Sequence, residues 1–215
     1  WKHNAGRYAR SSSGGGQWQN KSMPERWTVS YGSLTFNIKP MNFKHTGLFP
    51  EQAANWDWAQ EQIRSAGRPI NVLNLFAYTG GATVACAAAG ASVCHVDAAR
   101  GMVSWARENA KSSHLEDAIM DPPSYGRGPS GEVWRLEENL YPFVELVSGV
   151  LSEEPLFIIL NSYTTGLAPS VLTYILETLI SKRFGGHTVS DELGLPVTES
   201  GLALPCGATG RWTIQ

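Results

Sequence analysis

The chain has 215 residues, of which 42% are hydrophobic and 17% are charged. This balance excludes a disordered chain and suits one sizeable α/β domain with a small addition. The net charge of −2 creates no overall field that would attract nucleic acid or a membrane surface. Three cysteines without CxxC spacing favour reduced thiols, and we find neither a signal peptide nor a membrane-spanning apolar run. We therefore expect a cytoplasmic protein with no metal and no membrane contact.

The N-terminal part is predicted to be an appendage over residues 1–48, followed by a main domain over residues 49–215. Residues 1–26 are rich in Ser, Gly, Asn and Arg, which indicates an extended or mobile arm. Two alternating stretches then flank Gly32-Ser33 and predict a β-hairpin with a two-residue turn.

A helix is predicted from Glu51 to about Ala66, where Gly67 ends it. Gln52, in its first turn, would lie just before the first strand of the main sheet and could reach a ligand there. An exposed loop explains His45 and Glu51 as well as a functional role does.

The centre of the sequence is a strand, helix and strand over Asn71–Asp97. An apolar run at 72–76 predicts a strand buried on both faces, and a glycine turn at Tyr78–Gly81 follows it. A helix of small residues then leads to a second strand at 92–96. Asp97 would end that strand at the sheet edge where α/β proteins bind ligands, and its carboxylate could accept hydrogen bonds from a ribose.

The next helix is predicted at 99–112. A short strand is predicted at 117–121, only a few residues after the end of that helix. A doubly wound sheet needs a further strand and helix between them, which takes about 20 residues or more. We therefore expect that a segment near residues 113–117 is absent from this chain. The alternative is a true deletion that would remove one strand from the sheet.

A stiff turn, Asp121-Pro122-Pro123, follows this short strand. The two prolines fix the direction of the carboxylate and the carbonyls, which suits holding an amine or a base against a reactive carbon. The alternative is a purely structural turn. The glycine turn and the acidic strand end would also suit a nicotinamide-binding domain, but the GxGxxG pattern of such domains is absent.

The C-terminal part continues the alternation of strands and helices. The predicted elements are a helix at 134–151 that Pro142 should kink or divide, a buried strand at 156–160, a helix at 170–181, and short strands near 187–190 and 211–214. The sequence thus predicts the α/β class, with a Rossmann-like, doubly wound, mostly parallel sheet and a small N-terminal β appendage.

Five stretches stand out together: HTGLFPEQ, NLFAYTGGATVACAAAGA, VDA followed by WARENA, DPPSYGRG and ILNSYTTG. In this combination, from about Trp27 to Ser181, the chain resembles the class I S-adenosylmethionine-dependent methyltransferases. Within that class it is similar to the branch of the bacterial 23S ribosomal RNA large-subunit methyltransferases. The resemblance implies S-adenosylmethionine as the cofactor and RNA, by analogy ribosomal RNA, as the partner.

The resemblance also implies which residues bind the cofactor. The glycine turn would contact its methionine part, and Asp97 would bind its ribose hydroxyls. The acidic residue that usually meets the adenine would fall in the segment that we expect to be absent. The implied cofactor contacts are Gln52, Phe76, Ala77, Tyr78, Thr79, Gly80, Gly81 and Asp97.

The implied catalytic residues are Asp121, Pro122, Pro123 and Tyr125. Asp121 and the Pro122 carbonyl would orient the methyl acceptor, and Tyr125 could stack on a planar base. In the amine-methylating pattern the aromatic residue follows the prolines at once, whereas Ser124 intervenes here. This departure leaves the specificity for an amine open.

Relatives that make 5-methylcytosine attack the ring with a cysteine that follows the fifth strand. This chain reads Asn-Ser-Tyr at 161–163, while Cys86 and Cys94 fall in a helix and a strand and Cys206 is expected in an inert tail loop. Direct transfer to a nitrogen of an RNA base is therefore favoured over cytosine carbon 5.

Other functions stay open at this point. A small-molecule or protein methyltransferase is one alternative, and from another class a nicotinamide-dependent oxidoreductase or a cofactor-binding protein without activity. The sequence does not indicate an oligomeric state.

Overall fold

Two small sheets and two N-terminal hairpins contain the strands of the described part of the chain. The structure is a computed structural model, and it describes residues 4–12, 15–115, 117, 119–120 and 136–214. The chain divides into two compact units, the first made of Trp1–Phe49 with Arg68–Gly126 and the second of Pro50–Gly67 with Arg127–Gln215. This division differs from the predicted boundary between residues 48 and 49. Compact units need not coincide with domains, so that boundary stays a prediction.

The first unit begins with a β-hairpin in the region where the sequence predicts an extended or partly mobile arm. Strand β1 (Gly6–Arg10) pairs antiparallel with β2 (Gly16–Asn20). Tyr8 lies opposite Trp18, and their ring centroids are 5.5 Å apart in an edge-to-face contact. This cross-strand aromatic pair stabilises a segment whose composition alone favours disorder.

The second hairpin is confirmed with its two-residue turn. Strand β3 (Trp27–Tyr31) pairs with β4 (Leu34–Ile38) around Gly32-Ser33, and Tyr31 lies opposite Leu34. Three side chains of β4 are buried, which gives the hairpin an apolar face to pack on the rest of the unit.

A parallel sheet forms the rest of the first unit. Its elements are β5 (Asn71–Leu75), α2 (Gly81–Ala88), β6 (Ser92–Val96), α3 (Arg100–Ser112) and β7 (Ile119–Met120), where the label α1 is kept for the earlier helix Ala53–Ser65 of the second unit. The strands lie in the order β5-β6-β7 with parallel pairing throughout. The predicted strand, helix and strand over Asn71–Asp97 are confirmed.

The prediction that β5 is buried on both faces is wrong. Leu73 is 45% exposed, whereas the side chain of Asn74 on the other face donates a hydrogen bond to Thr83 of α2. The connecting helix covers only the face that carries Asn74, because neighbouring side chains of a strand point to opposite sides. The face that carries Leu73 therefore stays partly open.

Strand β7 occupies the position next to β6, since Ile119 lies opposite Val93 and Met120 opposite Cys94. Parallel pairing in an α/β arrangement is thus confirmed. One doubly wound sheet is not confirmed, because the described strands form separate sheets.

The second unit contains a three-stranded antiparallel sheet in the order β8-β10-β9. Its elements in chain order are a 3-10 turn Pro50–Gln52, α1 (Ala53–Ser65), α4 (Leu136–Ser148), β8 (Phe157–Ser162), α5 (Pro169–Leu176), a π-helical turn Glu177–Ser181, α6 (Lys182–Phe184), β9 (His187–Pro196) and β10 (Ala203–Thr213). Pro142 lies inside α4, which is one helix. The core of the second unit contains Leu172, Leu176, Ile180 and Trp212, all of which are fully buried.

The two tail strands are longer than predicted. Glycine and proline interrupt their alternation, and the register of β10 shifts between Pro205 and Gly207. Pairing with β8 and packing against α5 outweigh these local preferences. Among the residues that the structure describes, no helix is both long and apolar enough to cross a membrane.

Candidate active site

The loop after β5 is held in an unusual conformation. Phe76 and Tyr78 have φ angles of 52°, and Gly80 has a φ angle of 84°. The Ala77 N–H donates to the Val96 carbonyl over 3.0 Å, and the Gly80 N–H donates to the Ala77 carbonyl over 2.9 Å. Positive φ is costly for residues other than glycine, so it persists only where surrounding contacts hold it. This loop is therefore shaped by its neighbours and points to a binding function.

The Asp97 carboxylate is held by backbone N–H groups from two segments, the loop after β5 and the residues that follow β6. Its Oδ2 accepts a hydrogen bond from the Tyr78 N–H at 2.8 Å, and its Oδ1 accepts one from the Ala99 N–H at 2.9 Å. The residue is half-buried. Each carboxylate oxygen has a second lone pair, so this oriented group can still accept hydrogen bonds from two neighbouring hydroxyls.

Thr79 is buried inside the unit, with 1% of it exposed. Its hydroxyl donates to the Gly47 carbonyl at 2.5 Å, and its own carbonyl accepts a hydrogen bond from the Asn109 Nδ2 at 2.8 Å. Its side chain thus fixes the loop from behind. The sequence does not reveal this arrangement, because Gly47 and Asn109 lie 32 and 30 residues away.

Asn109 is a site residue that the sequence analysis missed. Its side chain is fully buried, and its Oδ1 accepts the Asn37 N–H of β4 at 2.7 Å while its Nδ2 holds Thr79. It lies on the same helix face as the buried Ala106 and Ala110. The sequence does contain one signal for Asn109, because it is a polar residue on the apolar face of the predicted helix. A buried amide needs hydrogen-bond partners, so such a position indicates a structural contact.

Tyr78 and Phe76 present the aromatic side chains of the loop. The Tyr78 ring centroid lies 5.2 Å from that of Phe49, and its hydroxyl contacts the Met41 sulfur at 3.1 Å. Burial raises the pKa of Tyr78; a backbone hydrogen bond at Gly47 opposes this rise, and the charge of Asp97 adds a smaller one, so the side chain is neutral. Phe76 is 67% exposed.

A buried polar chain joins the three elements under the loop. Asn74 donates to the Thr83 hydroxyl oxygen at 2.8 Å, and that oxygen lies 2.9 Å from the His95 Nδ1. Side chains from β5, α2 and β6 thereby set the relative position of the two strand ends that carry the site.

The predicted cofactor residues are thus largely brought together in the first unit. The structure groups Phe76, Ala77, Tyr78, Thr79, Gly80, Gly81 and Asp97 around one loop. The predicted catalytic residues Asp121, Pro122, Pro123 and Tyr125 lie outside the described residues.

Gln52 lies in the second unit, within a polar cluster at the end of β8. Its Nε2 donates to the Tyr163 hydroxyl at 2.7 Å, and its Oε1 accepts from the Asn55 Nδ2 at 2.9 Å. Glu51 is not an exposed loop residue but is 7% exposed and hydrogen-bonds to Tyr163. Burial first, then Glu51, raises the pKa of Tyr163 to about 12.

Asn55 is the centre of this second-unit cluster. Its Oδ1 accepts hydrogen bonds from the Arg211 Nε at 2.7 Å and the Thr209 hydroxyl at 3.2 Å, while its Nδ2 also donates to Asn161 at 3.0 Å. The guanidinium carbon of Arg211 lies 5.6 Å from the Trp58 ring, and burial lowers the pKa of Arg211. The start of α1, the end of β8 and β10 are thereby held together.

The cysteines occupy different environments. Cys86 is buried in α2, and burial raises the pKa of its thiol to about 12, which suppresses the reactive thiolate. Cys206 is not in a tail loop, as expected, but in β10 at the register shift, and its Sγ lies 3.3 Å from the Leu204 carbonyl. Further along β10, Ala208 lies opposite Ser162 at the end of β8, so Cys206 is two residues from that pair.

The donor set of the first unit suits a nucleoside-containing cofactor. An oriented carboxylate, a tight glycine-containing turn and an exposed aromatic ring meet at the carboxyl ends of two parallel strands, where α/β sheets bind such ligands. Within the described part of the chain, no group of three or more His, Cys, Asp and Glu side chains could hold a metal ion.

Comparison with known proteins identifies the family of this chain. Residues 3–129 match the S-adenosylmethionine-dependent methyltransferase family, and this chain belongs to that family. A solved S-adenosylmethionine-dependent methyltransferase from Agrobacterium tumefaciens is 29% identical, with a TM-score of 0.88 over 100% of this chain and 79% of its own. This similarity confirms the Rossmann-like methyltransferase fold.

Within the family, the resemblance to the ribosomal RNA branch is also confirmed. "Ribosomal RNA large subunit methyltransferase K/L" of Shewanella frigidimarina is 35% identical over 95 residues, 44% of this chain and 13% of the relative. The protein of the same name from Chromohalobacter salexigens is 31% identical over 191 residues, which take up 77% of this chain and 24% of the relative. This chain thus spans a quarter or less of each of these relatives.

Proposed function

We propose that this chain transfers a methyl group from S-adenosylmethionine directly to a base of RNA, with a nitrogen favoured over cytosine carbon 5. The observation that carries the proposal is the Asp97 carboxylate, held by the Tyr78 and Ala99 N–H groups beside the glycine turn. The cofactor supplies an electrophilic methyl group on a positively charged sulfur. The oriented carboxylate would accept hydrogen bonds from its ribose, and the exposed ring of Phe76 would cover its methionine part.

RNA as the methyl acceptor is supported by the names of the relatives from Shewanella and Chromohalobacter. Asp121 and the Pro122 carbonyl would orient the acceptor and Tyr125 would stack on it, in agreement with the resemblance in the sequence. Such a site accelerates transfer mainly by proximity and orientation, since the cofactor already activates the methyl group. Gln52 stays a predicted further contact of the cofactor.

Direct transfer to nitrogen is supported by the state of the thiols. Attack on cytosine carbon 5 needs a thiolate, and the raised pKa of the buried Cys86 makes it unsuitable. Cys206 is the thiol that would serve the alternative chemistry, because it lies near the end of β8. Substitution of Cys206 therefore tests whether the enzyme attacks cytosine carbon 5.

Two substitutions separate binding from turnover. We expect Asp97→Ala to weaken S-adenosylmethionine binding in calorimetry, because the ribose loses its acceptor. Asp121→Ala should mainly lower the turnover number, and Asp57→Ala, on an exposed part of α1, is the control. The reverse pattern would contradict the assigned roles, and tight NAD binding without a response to S-adenosylmethionine would refute the cofactor assignment.

The acceptor is identified by a labelled-methyl assay. RNA from a strain that lacks the protein should take up label, whereas label in protein or in small molecules only would contradict an RNA substrate. RNA containing 5-fluorocytidine would trap a covalent complex if a thiol attacked the ring. We expect no trapped complex and full activity in Cys206→Ser.

A further inference from the structure

The net charge of −2 conceals a strong asymmetry along the chain. Residues 1–49 contain seven Lys and Arg but one Asp or Glu, a formal charge of +6. The remaining residues contain ten Lys and Arg against eighteen Asp and Glu, a formal charge of −8. The N-terminal segment is therefore a cationic region on an acidic chain, and such a separation attracts a polyanion to one place.

The cationic side chains of this segment are available at the surface. Arg7, Arg10, Lys21 and Lys44 are all exposed, and within the described part of the chain none of them forms an ion pair. Arg26, in contrast, forms an ion pair with Glu108 at 2.8 Å. Among the described residues, these four positive charges thus have no neutralising carboxylate.

The first hairpin is attached to the segment that follows the second hairpin. The Trp18 indole N–H donates to the carbonyl oxygens of Met41 at 2.9 Å and Phe43 at 3.1 Å. The side chain of Phe43 is 43% exposed next to Lys44. Charged groups from the hairpin and an aromatic ring from the segment are therefore carried by one connected structure.

This structure directly adjoins the cofactor loop of the same unit. Met41 contacts the Tyr78 hydroxyl at 3.1 Å, the Phe49 ring lies 5.2 Å from the Tyr78 ring, and the Gly47 carbonyl accepts the Thr79 hydroxyl. A polymer held by the N-terminal segment would consequently lie next to the residues that fix the cofactor loop.

We propose that Arg7, Arg10, Lys21, Lys44 and Phe43, termed the N-terminal basic surface, bind the RNA whose base is methylated. Arg7 and Arg10 point to opposite faces of β1, so a single strand that contacts both would cross the edge of the first hairpin. The four cations would contact its backbone phosphates, and Phe43 would stack on an unpaired base. The inference rests on the proposed function, because it names the surface that holds the acceptor. RNA is favoured over other polyanions since the exposed aromatic ring accompanies the charges.

Binding of a fluorescent single-stranded RNA, measured over a range of salt concentrations, tests the surface. The full chain carrying Arg7→Gln, Arg10→Gln and Lys21→Gln should bind more weakly, and the slope of log K against log salt should fall by about 2, at about 0.7 for each lost phosphate contact. A chain with Arg64→Gln, Lys111→Gln and Lys182→Gln has the same change in charge at exposed positions outside the surface and should retain the slope. S-adenosylmethionine binding should be unchanged in both.

Phe43→Ala tests the contribution from stacking. It should weaken RNA binding roughly tenfold while leaving the salt slope unchanged, because stacking involves no release of counterions. An unchanged affinity would remove Phe43 from the surface.

A wild-type salt slope in the first triple variant, or an equal loss in the second, would overturn the proposal. Equally tight binding of the wild-type chain to vesicles with anionic lipid would assign the surface to membranes instead. If the wild type methylates RNA but the first variant does so equally well, the surface is wrong and the proposed function stands. If the wild type neither binds nor methylates RNA, both are wrong.

Discussion

The Nδ2 of Asn109 donates a hydrogen bond to the backbone carbonyl of Thr79, and the same side chain accepts the N–H of Asn37. One buried amide on α3 thus joins the cofactor loop to the edge of β4. A free strand edge is thereby covered, and the loop gains a fixed support from behind.

Asn109→Ala should destabilise the chain by about 2 to 3 kcal/mol, because a buried N–H and a buried carbonyl lose their partner. It should also weaken S-adenosylmethionine binding, because the loop loses its support. Urea unfolding and calorimetry measure the two effects. Ser104→Ala, at an exposed position of the same helix, is the control, and equal effects of both changes would contradict the assigned role.

Gly47→Ala should destabilise the chain by roughly 2 to 4 kcal/mol, as judged from urea unfolding. Its φ angle is 100°, and an added Cβ would lie 2.3 Å from the Trp105 ring. Gly90→Ala is the matched control, with a φ angle of 97° but nothing within 4 Å of an added Cβ, and should cost about 1 kcal/mol. Equal losses would show that backbone strain, and not contact with Trp105, sets the effect.

The stability of the chain should fall as the pH rises from about 10 to about 12. Because the pKa of Tyr163 is raised from 10.0 to about 12, the unfolded chain releases the phenol proton first, and ionisation then favours unfolding. In Tyr163→Phe this part of the fall should be absent. Urea unfolding at several alkaline pH values measures it, with Tyr174→Phe as the control because Tyr174 is 75% exposed. Parallel curves for wild type and Tyr163→Phe would contradict the prediction.

The natural protein should contain a segment near residues 113–117 that this chain lacks. The 191 positions aligned with the Chromohalobacter relative take up 77% of this chain, about 166 of its 215 residues, so about 25 positions have no counterpart here. That length fits one strand and one helix. The added strand would take the place beside β6 that Ile119–Met120 now occupies.

Peptide mapping of the protein from its natural source checks this. Trypsin should not yield the peptide Ser112–Arg127, which this chain would produce by cleavage after Lys111 and Arg127. Detection of that peptide would establish a true deletion.

The sequence by itself determined the features that depend on neighbouring residues. The turn at Gly32-Ser33, the strand Ser92–Val96 and the position of Asp97 at its end follow from alternation, glycine placement and the period of each element. The family could also be predicted from the sequence, because five short motifs are typical of it. Local chemistry sets each of these features, so they can be predicted without a structure.

Only the tertiary structure decided how distant residues support the site. The bridge from Asn37 through Asn109 to Thr79, the attachment of Trp18 to Met41 and the position of Cys206 near Ser162 all join residues far apart in the chain. The ordered first hairpin and the long C-terminal strands likewise depend on packing partners that outweigh local preference. Such contacts leave no periodic signal in the sequence, because burial and hydrogen-bond partners are fixed only when the elements pack.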